Sequence, residues 1–142
     1  MWADTLLSAE RALILRLMVW GAVSVLVGTA LFAWLRSRGR PSSLLEQFAI
    51  QTAAWGAAEV AYGAVTRIGL GPRDISGATR LDRLLWLTIG LDVGFVLVGL
   101  TLSVTAWRLG RRLSLVGAGT AVVVQGTALL LLDLLLASQI SR

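Results

Sequence analysis

The chain has 142 residues, of which 56% are hydrophobic and only 15% are charged, and its formal net charge is +5. A soluble domain carries about a quarter charged residues, so this composition is typical of an integral membrane protein. Cys, His, Lys and Asn are absent, which excludes disulfides, His or Cys metal sites, the usual haem ligands and Schiff-base lysines. We therefore expect no cofactor.

Four apolar stretches predict an all-α, membrane-spanning four-helix bundle, with spans at about 13–35, 44–66, 84–107 and 113–138. Residues 17–35 contain no charge and are long enough to cross a hydrocarbon core of about 30 Å. The second span is the least hydrophobic. Because the spans use most of the chain and the turns are short, we expect one domain over residues 1–142.

Capping residues predict where two of the helices begin. Ser43 followed by Glu46 has the spacing of a capping box, which places the start of the second helix there. Thr79 and Asp82 are candidate caps for the third helix. Inside that helix, Gly90 and Gly94 form a GxxxG pattern, which predicts close packing against another helix.

Besides Glu46 in the predicted capping box, three acids lie inside predicted spans, where a carboxylate costs at least about 2.5 kcal/mol. Each is eight or nine residues from an arginine on the same face of the bundle: Glu59 before Arg67, Asp92 after Arg83 and Asp133 before Arg142. At 1.5 Å per residue, all three lie about 12–14 Å from that face and form a carboxylate layer. The same count places Gln51 and Gln125 in a second layer, about 24–26 Å from that face.

The second helix indicates which of its sides faces inward. Gln51, Trp55 and Glu59 follow one another at four-residue intervals, and Tyr62 continues the stripe. Acids and aromatic faces together suit an organic cation, and carboxyls that share a low-dielectric site also share protons. The candidate site residues are Glu59, Asp92, Asp133, Trp55, Tyr62, Gln51 and Gln125. In the alternative interpretation, the acids only bond across the bundle and fix helix register.

Three stretches carry a family resemblance. They are Gln125-Gly126 followed by Asp133, Leu91-Asp92-Val93-Gly94, and Gln51 with Trp55-Gly56. Over residues 45–137 the chain resembles a bacterial family of uncharacterised four-helix integral membrane proteins. That family has no established activity. Its members more often have Asn at the position of Glu59, which shifts the emphasis to Asp92 and Asp133.

These observations favour a protein that binds a small hydrophobic or cationic ligand, or protons, at the carboxylate layer, and that acts as a transporter. A non-catalytic accessory or assembly subunit of a larger membrane complex is the alternative. An enzyme is less favoured, because carboxyls alone would restrict it to acid–base chemistry. The expected partners are membrane lipid, that ligand, and copies of the chain or other subunits, without nucleic acid. The expected location is the bacterial inner membrane, with several passes.

Overall fold

The computed structural model describes residues 2–39 and 41–140, so the predictions that rest on Arg142 lie outside the described residues. The described chain forms four α-helices and no strand: α1 (Trp2–Ser37), α2 (Ser43–Ile68), α3 (Ile75–Arg108) and α4 (Leu113–Ile140). The predicted all-α, four-helix fold is confirmed. By length and composition, α1, α3 and α4 could each cross a membrane, whereas α2 is less apolar.

Helix α3 begins about nine residues before the predicted span, at Ile75. Thr79 and Asp82 both lie inside it, so their prediction as caps is wrong. The cap is Asp74, whose carboxylate accepts a 2.7 Å hydrogen bond from the backbone N–H of Gly77. Helix α1 likewise begins early, at Trp2. Hydropathy detects where a helix becomes apolar, and both helices start well before that point.

The cap of α2 is Ser42, one residue before the predicted one, and its side chain accepts from the backbone N–H of Leu45. Glu46 forms an ion pair and is not part of a capping box with Ser43 as predicted. Its carboxylate accepts a 2.7 Å hydrogen bond from Nη2 of Arg36. The ion pair joins the end of α1 to the start of α2.

Helices α1 and α2 form a first hairpin and α3 and α4 a second, and glycines let the two helices of each hairpin approach closely. A Cβ atom on Gly21 of α1 would lie 2.7 Å from the carbonyl oxygen of Gly56 on α2. In the second hairpin, a Cβ on Gly99 of α3 would lie 2.7 Å from the carbonyl oxygen of Gly119 on α4. Only hydrogen fits at these positions, so α1–α2 and α3–α4 form two tightly packed pairs.

The predicted use of the GxxxG pattern is wrong within the described chain. A Cβ atom added to Gly90 or Gly94 would meet no atom within 4 Å. Both glycines therefore lie on a side of α3 that contacts no other helix of the described chain. The close contacts of α3 are made by Gly99 instead.

Helix α2 packs against α4 and joins the two hairpins, and α1 also meets α4 over a short stretch. The contact between α2 and α4 is closest where Gly117 lies against the backbone of Leu44. No Cα atom of α2 comes within 8 Å of one of α3 in the part of the chain that the structure describes. A gap therefore separates α2 from α3.

The exposure of side chains is the reverse of that in a water-soluble bundle. Gln125 is 1% exposed, whereas Leu26 is 67% exposed and Val98 is 63% exposed. Large apolar side chains cover the outer surface, where a bilayer would solvate them.

Candidate functional site

The gap between α2 and α3 is a cavity of about 510 Å³ that is lined by side chains from all four helices. At one end, the rings of Trp55 and Phe95 meet edge to face, with centroids 5.2 Å apart and an angle of 72°. At the other end, Nε of Arg73 donates a 2.6 Å hydrogen bond to Oε1 of Glu10. Residues of α1 and α4 complete the lining.

The three predicted acids all line this cavity. Glu59 and Asp92 are each 5% exposed, and Asp133 is half-buried. Neither carboxylate oxygen of Glu59 has a hydrogen-bond partner, and Oδ2 of Asp92 has none. A buried polar atom without a partner is costly, so these oxygens require an occupant of the cavity or a proton.

The predicted aromatic residues also line the cavity, in two different settings. Trp55 is half-buried and closes the inner end with Phe95. Tyr62 is 64% exposed, so it lies at the rim and not inside as the stripe on α2 predicted. Leu84, on the α3 side of the cavity, is 51% exposed. The cavity therefore reaches the outer surface near Tyr62 and Leu84.

The two predicted glutamines do not line this cavity. Gln125 accepts a 2.6 Å hydrogen bond from Nε1 of Trp20 and donates a 3.1 Å one to Oγ of Ser24. It connects α4 to α1, so this glutamine has the bundle-fixing role that the alternative interpretation gave to the acids. Gln51 is half-buried on α2 and is not among the cavity residues.

Sequence reasoning did not identify Glu10 and Arg73 as site residues. Glu10 is 3% exposed although it lies before the first apolar run. A local signal did exist: Leu6, Leu7, Leu13 and Ile14 lie three and four residues on either side of it, so Glu10 occupies the apolar face of α1. Its partner is 63 residues away along the chain, and no local pattern predicts that pair.

The cavity combines an apolar wall with an excess of acid. Apart from its polar residues, its lining is mainly leucine, and the cluster of Leu85, Ile89 and Leu136 packs beside it. Arg73 is the one basic residue in the lining, and it is bound to Glu10. Among the described residues, no group of three or more acids is arranged to hold a metal ion. This arrangement can hold a cation with an apolar body, or protons, at Glu59, Asp92 and Asp133.

Comparison with known families identifies one match, DUF6992, a family of unknown function, whose model covers residues 16–134. The chain belongs to this family, and the predicted membership of an uncharacterised family is confirmed. The match extends further into the first helix than the resemblance over residues 45–137 indicated. No curated protein and no solved structure matches the chain.

Proposed function

We propose that this member of a family of unknown function is a multi-pass protein of the bacterial inner membrane that binds small hydrophobic cations, exchanges them for protons, and thereby acts as a transporter. The unpartnered oxygens of Glu59 and Asp92, buried beside a cavity of about 510 Å³, are the observation that carries the proposal. A purely structural acid would bond to a neighbouring helix. These oxygens have no such bond, although both residues contribute to the lining of the cavity.

The shape of the cavity favours a ligand that arrives from the bilayer. Its rim includes the exposed side chains of Tyr62 and Leu84, and many other exposed side chains of the helices are apolar. A hydrophobic cation partitions into the membrane, and its charge is stabilised by carboxylates and by the faces of aromatic rings. Trp55 and Phe95 provide such faces at the inner end.

Proton exchange is supported by the placement of three acids in the lining of one cavity. Three carboxyl groups in a low-dielectric site cannot all be ionised, so the empty site holds one or more protons. A bound cation favours the ionised forms, and protons are then released. Such competition is the basis on which a proton gradient can drive export of the cation.

This function requires that α2 also crosses the membrane. Its 26 residues are about 39 Å long, which is sufficient. Its lower hydropathy is explained in part by Glu59 and Thr52, which are both buried within the bundle. An acid that faces a cavity and not lipid is compatible with a membrane span.

Binding of tetraphenylphosphonium to the purified chain in lipid nanodiscs tests the proposal, with calorimetry and pH measurement in weak buffer. We expect saturable binding accompanied by proton release. The Asp92→Asn and Asp133→Asn variants should bind about tenfold more weakly and release fewer protons. Glu46→Gln is the matched control, because Glu46 pairs with Arg36 and is not among the cavity residues.

Tetraphenylborate has the same shape and the opposite charge, so it measures partition into lipid without recognition by acids. Equal binding of the two ions would contradict the proposal. So would unchanged affinity in both aspartate variants, provided that their unfolding midpoints match that of the parent chain.

The second candidate function is that of an accessory subunit in a larger membrane complex. The open side of α3 at Gly90 and Gly94 favours it, because small residues permit close approach by another helix. Gly94→Leu would then disrupt co-purification with other subunits and leave cation binding intact. Unchanged co-purification of Gly94→Leu with other subunits would speak against the accessory-subunit function and leave cation binding as the supported one.

A further inference from the structure

A second depression lies on the other flank of α2, between α2 and the first half of α1. It has a volume of about 400 Å³. Six residues line it: Arg11, Ile14, Leu15, Met18, Arg67 and Leu70. We call this the arginine groove. It shares Ile14 and Leu70 with the acidic cavity, so those two side chains separate the two volumes.

Charge distinguishes the arginine groove from the acidic cavity. Arg11 and Arg67 are both exposed, and neither forms a hydrogen bond or an ion pair with another residue in the described part of the chain. No acid lines the groove. Arg36 and Arg73, in contrast, are each bound to a glutamate. The two guanidinium groups are therefore available to an anion.

The position along the helices places this charge at the level of lipid headgroups. Arg11 is six residues before Leu17, where the uncharged run of α1 begins, a distance of about 9 Å. Arg67 lies in the last turn of α2. Arginines at the ends of spans extend their charged groups to the membrane interface.

The rest of the arginine groove is apolar and follows α1 from Arg11 to Met18. Leu15 is 60% exposed, and Met18 lies directly over Gly63, where no side chain of α2 intervenes. A hydrocarbon chain could lie along Leu15 and Met18 beneath the two arginines. A free phosphate ion would contact only the charged end.

We propose that the arginine groove binds an anionic phospholipid, with its phosphate between Arg11 and Arg67 and an acyl chain against Leu15 and Met18. The acidic cavity would repel this ligand, so the inference does not depend on the proposed cation-binding function. The charge pattern agrees with the attraction of clustered arginines to anionic lipid, which contributes about fivefold in affinity for each arginine near the surface.

Native mass spectrometry of the full chain tests the inference. The chain is released from nanodiscs that contain equal amounts of phosphatidylglycerol and phosphatidylcholine, and the retained lipids are counted. We expect preferential retention of phosphatidylglycerol, reduced about fivefold by Arg11→Gln or Arg67→Gln and further in the double variant. Arg16→Gln is the control, because Arg16 is an exposed arginine of the same helix that does not line the groove.

Three results would overturn the inference. The first is equal retention of the two lipids. The second is an effect of Arg16→Gln as large as that of Arg67→Gln, which would indicate general attraction to a charged surface. The third is stabilisation of the detergent-solubilised chain by inorganic phosphate to the same extent as by phosphatidylglycerol, which would indicate an anion site without a lipid.

Discussion

Nε1 of Trp20 on α1 lies 2.6 Å from Oε1 of Gln125 on α4 and donates a hydrogen bond to it. The amide nitrogen of Gln125 donates in turn to Oγ of Ser24, 3.1 Å away. Both polar atoms of this 1%-exposed side chain are therefore bound to α1. This pair of bonds fixes α1 against α4, where the two helices otherwise meet over only a short stretch.

Trp20→Phe should destabilise the protein, because it leaves Oε1 of Gln125 buried without a donor. We expect a loss of about 1 kcal/mol in the free energy of unfolding. Unfolding in mixed micelles with increasing SDS measures it. In a double-mutant cycle, Gln125→Leu should cost less in a chain that already carries Trp20→Phe than in the parent chain. Full additivity would show that the bond contributes nothing.

Gly56→Ala should separate α1 from α2. A Cβ at this position would lie 2.5 Å from the carbonyl oxygen of Gly21, and a backbone oxygen cannot move aside without moving its helix. Overpacking of this kind costs about 1–3 kcal/mol. Gly90→Ala is the matched control, since its Cβ would meet no atom within 4 Å. Equal effects of the two variants on the unfolding midpoint would contradict this account of the hairpin.

The cap of α3 should make stability depend on pH. The backbone N–H of Gly77, helped by the Ser76 hydroxyl, holds the pKa of Asp74 below its ordinary value. Since the pKa is lowered in the folded state, the contribution is present above the ordinary pKa and is lost as the pH falls through the folded pKa.

Asp74→Ala should therefore lower the thermal midpoint at neutral pH, and the difference from the parent chain should narrow below about pH 4. Tryptophan fluorescence during heating, repeated from pH 7 to pH 3, measures both quantities. Thr79→Ala serves as the control, because Thr79 lies inside α3 and bonds only to the carbonyl oxygen of Ile75. A constant difference at all pH values would rule out the carboxylate as the cause.

Arg73→Gln should leave the carboxylate of Glu10 buried without its ion partner. Oε2 of Glu10 already lacks a partner, and the Arg73 side chain is 37% exposed. With partial exposure taken into account, we expect a loss of about 1–3 kcal/mol in unfolding free energy. The double variant with Glu10→Gln should recover most of it. No recovery would show that Arg73 stabilises the chain independently of Glu10.

The sequence was sufficient to predict the four helices, because each carries a long apolar run. It was also sufficient to select acids that line one cavity, because Glu59, Asp92 and Asp133 could be compared by depth alone. It did not predict the partners of Gln125, whose bonds to Trp20 and Ser24 span more than a hundred residues. Such contacts depend on how the hairpins meet, and helical periodicity contains no information about that.

The helix starts show a different limit. Asp74 lies among Gly, Pro and Arg, a composition that indicates a loop and not a helix start. Thr79 and Asp82 lie closer to the apolar run, so the sequence favours them as caps. The GxxxG pattern did not predict a helix contact within the described chain, for a related reason. Gly90 and Gly94 permit close packing, but only the partner helix determines which of several glycine faces is used.

The division of the acids between the two hairpins has a consequence for biogenesis. Glu59 belongs to the first hairpin, and Asp92 and Asp133 belong to the second. If all four helices cross a bilayer, as proposed, each hairpin carries at least one carboxyl group into it before the hairpins join, which is costly. The newly made halves thus gain free energy by joining. Glu59 and Asp92, whose oxygens lack partners in the finished cavity, would then also favour the joining of the two hairpins.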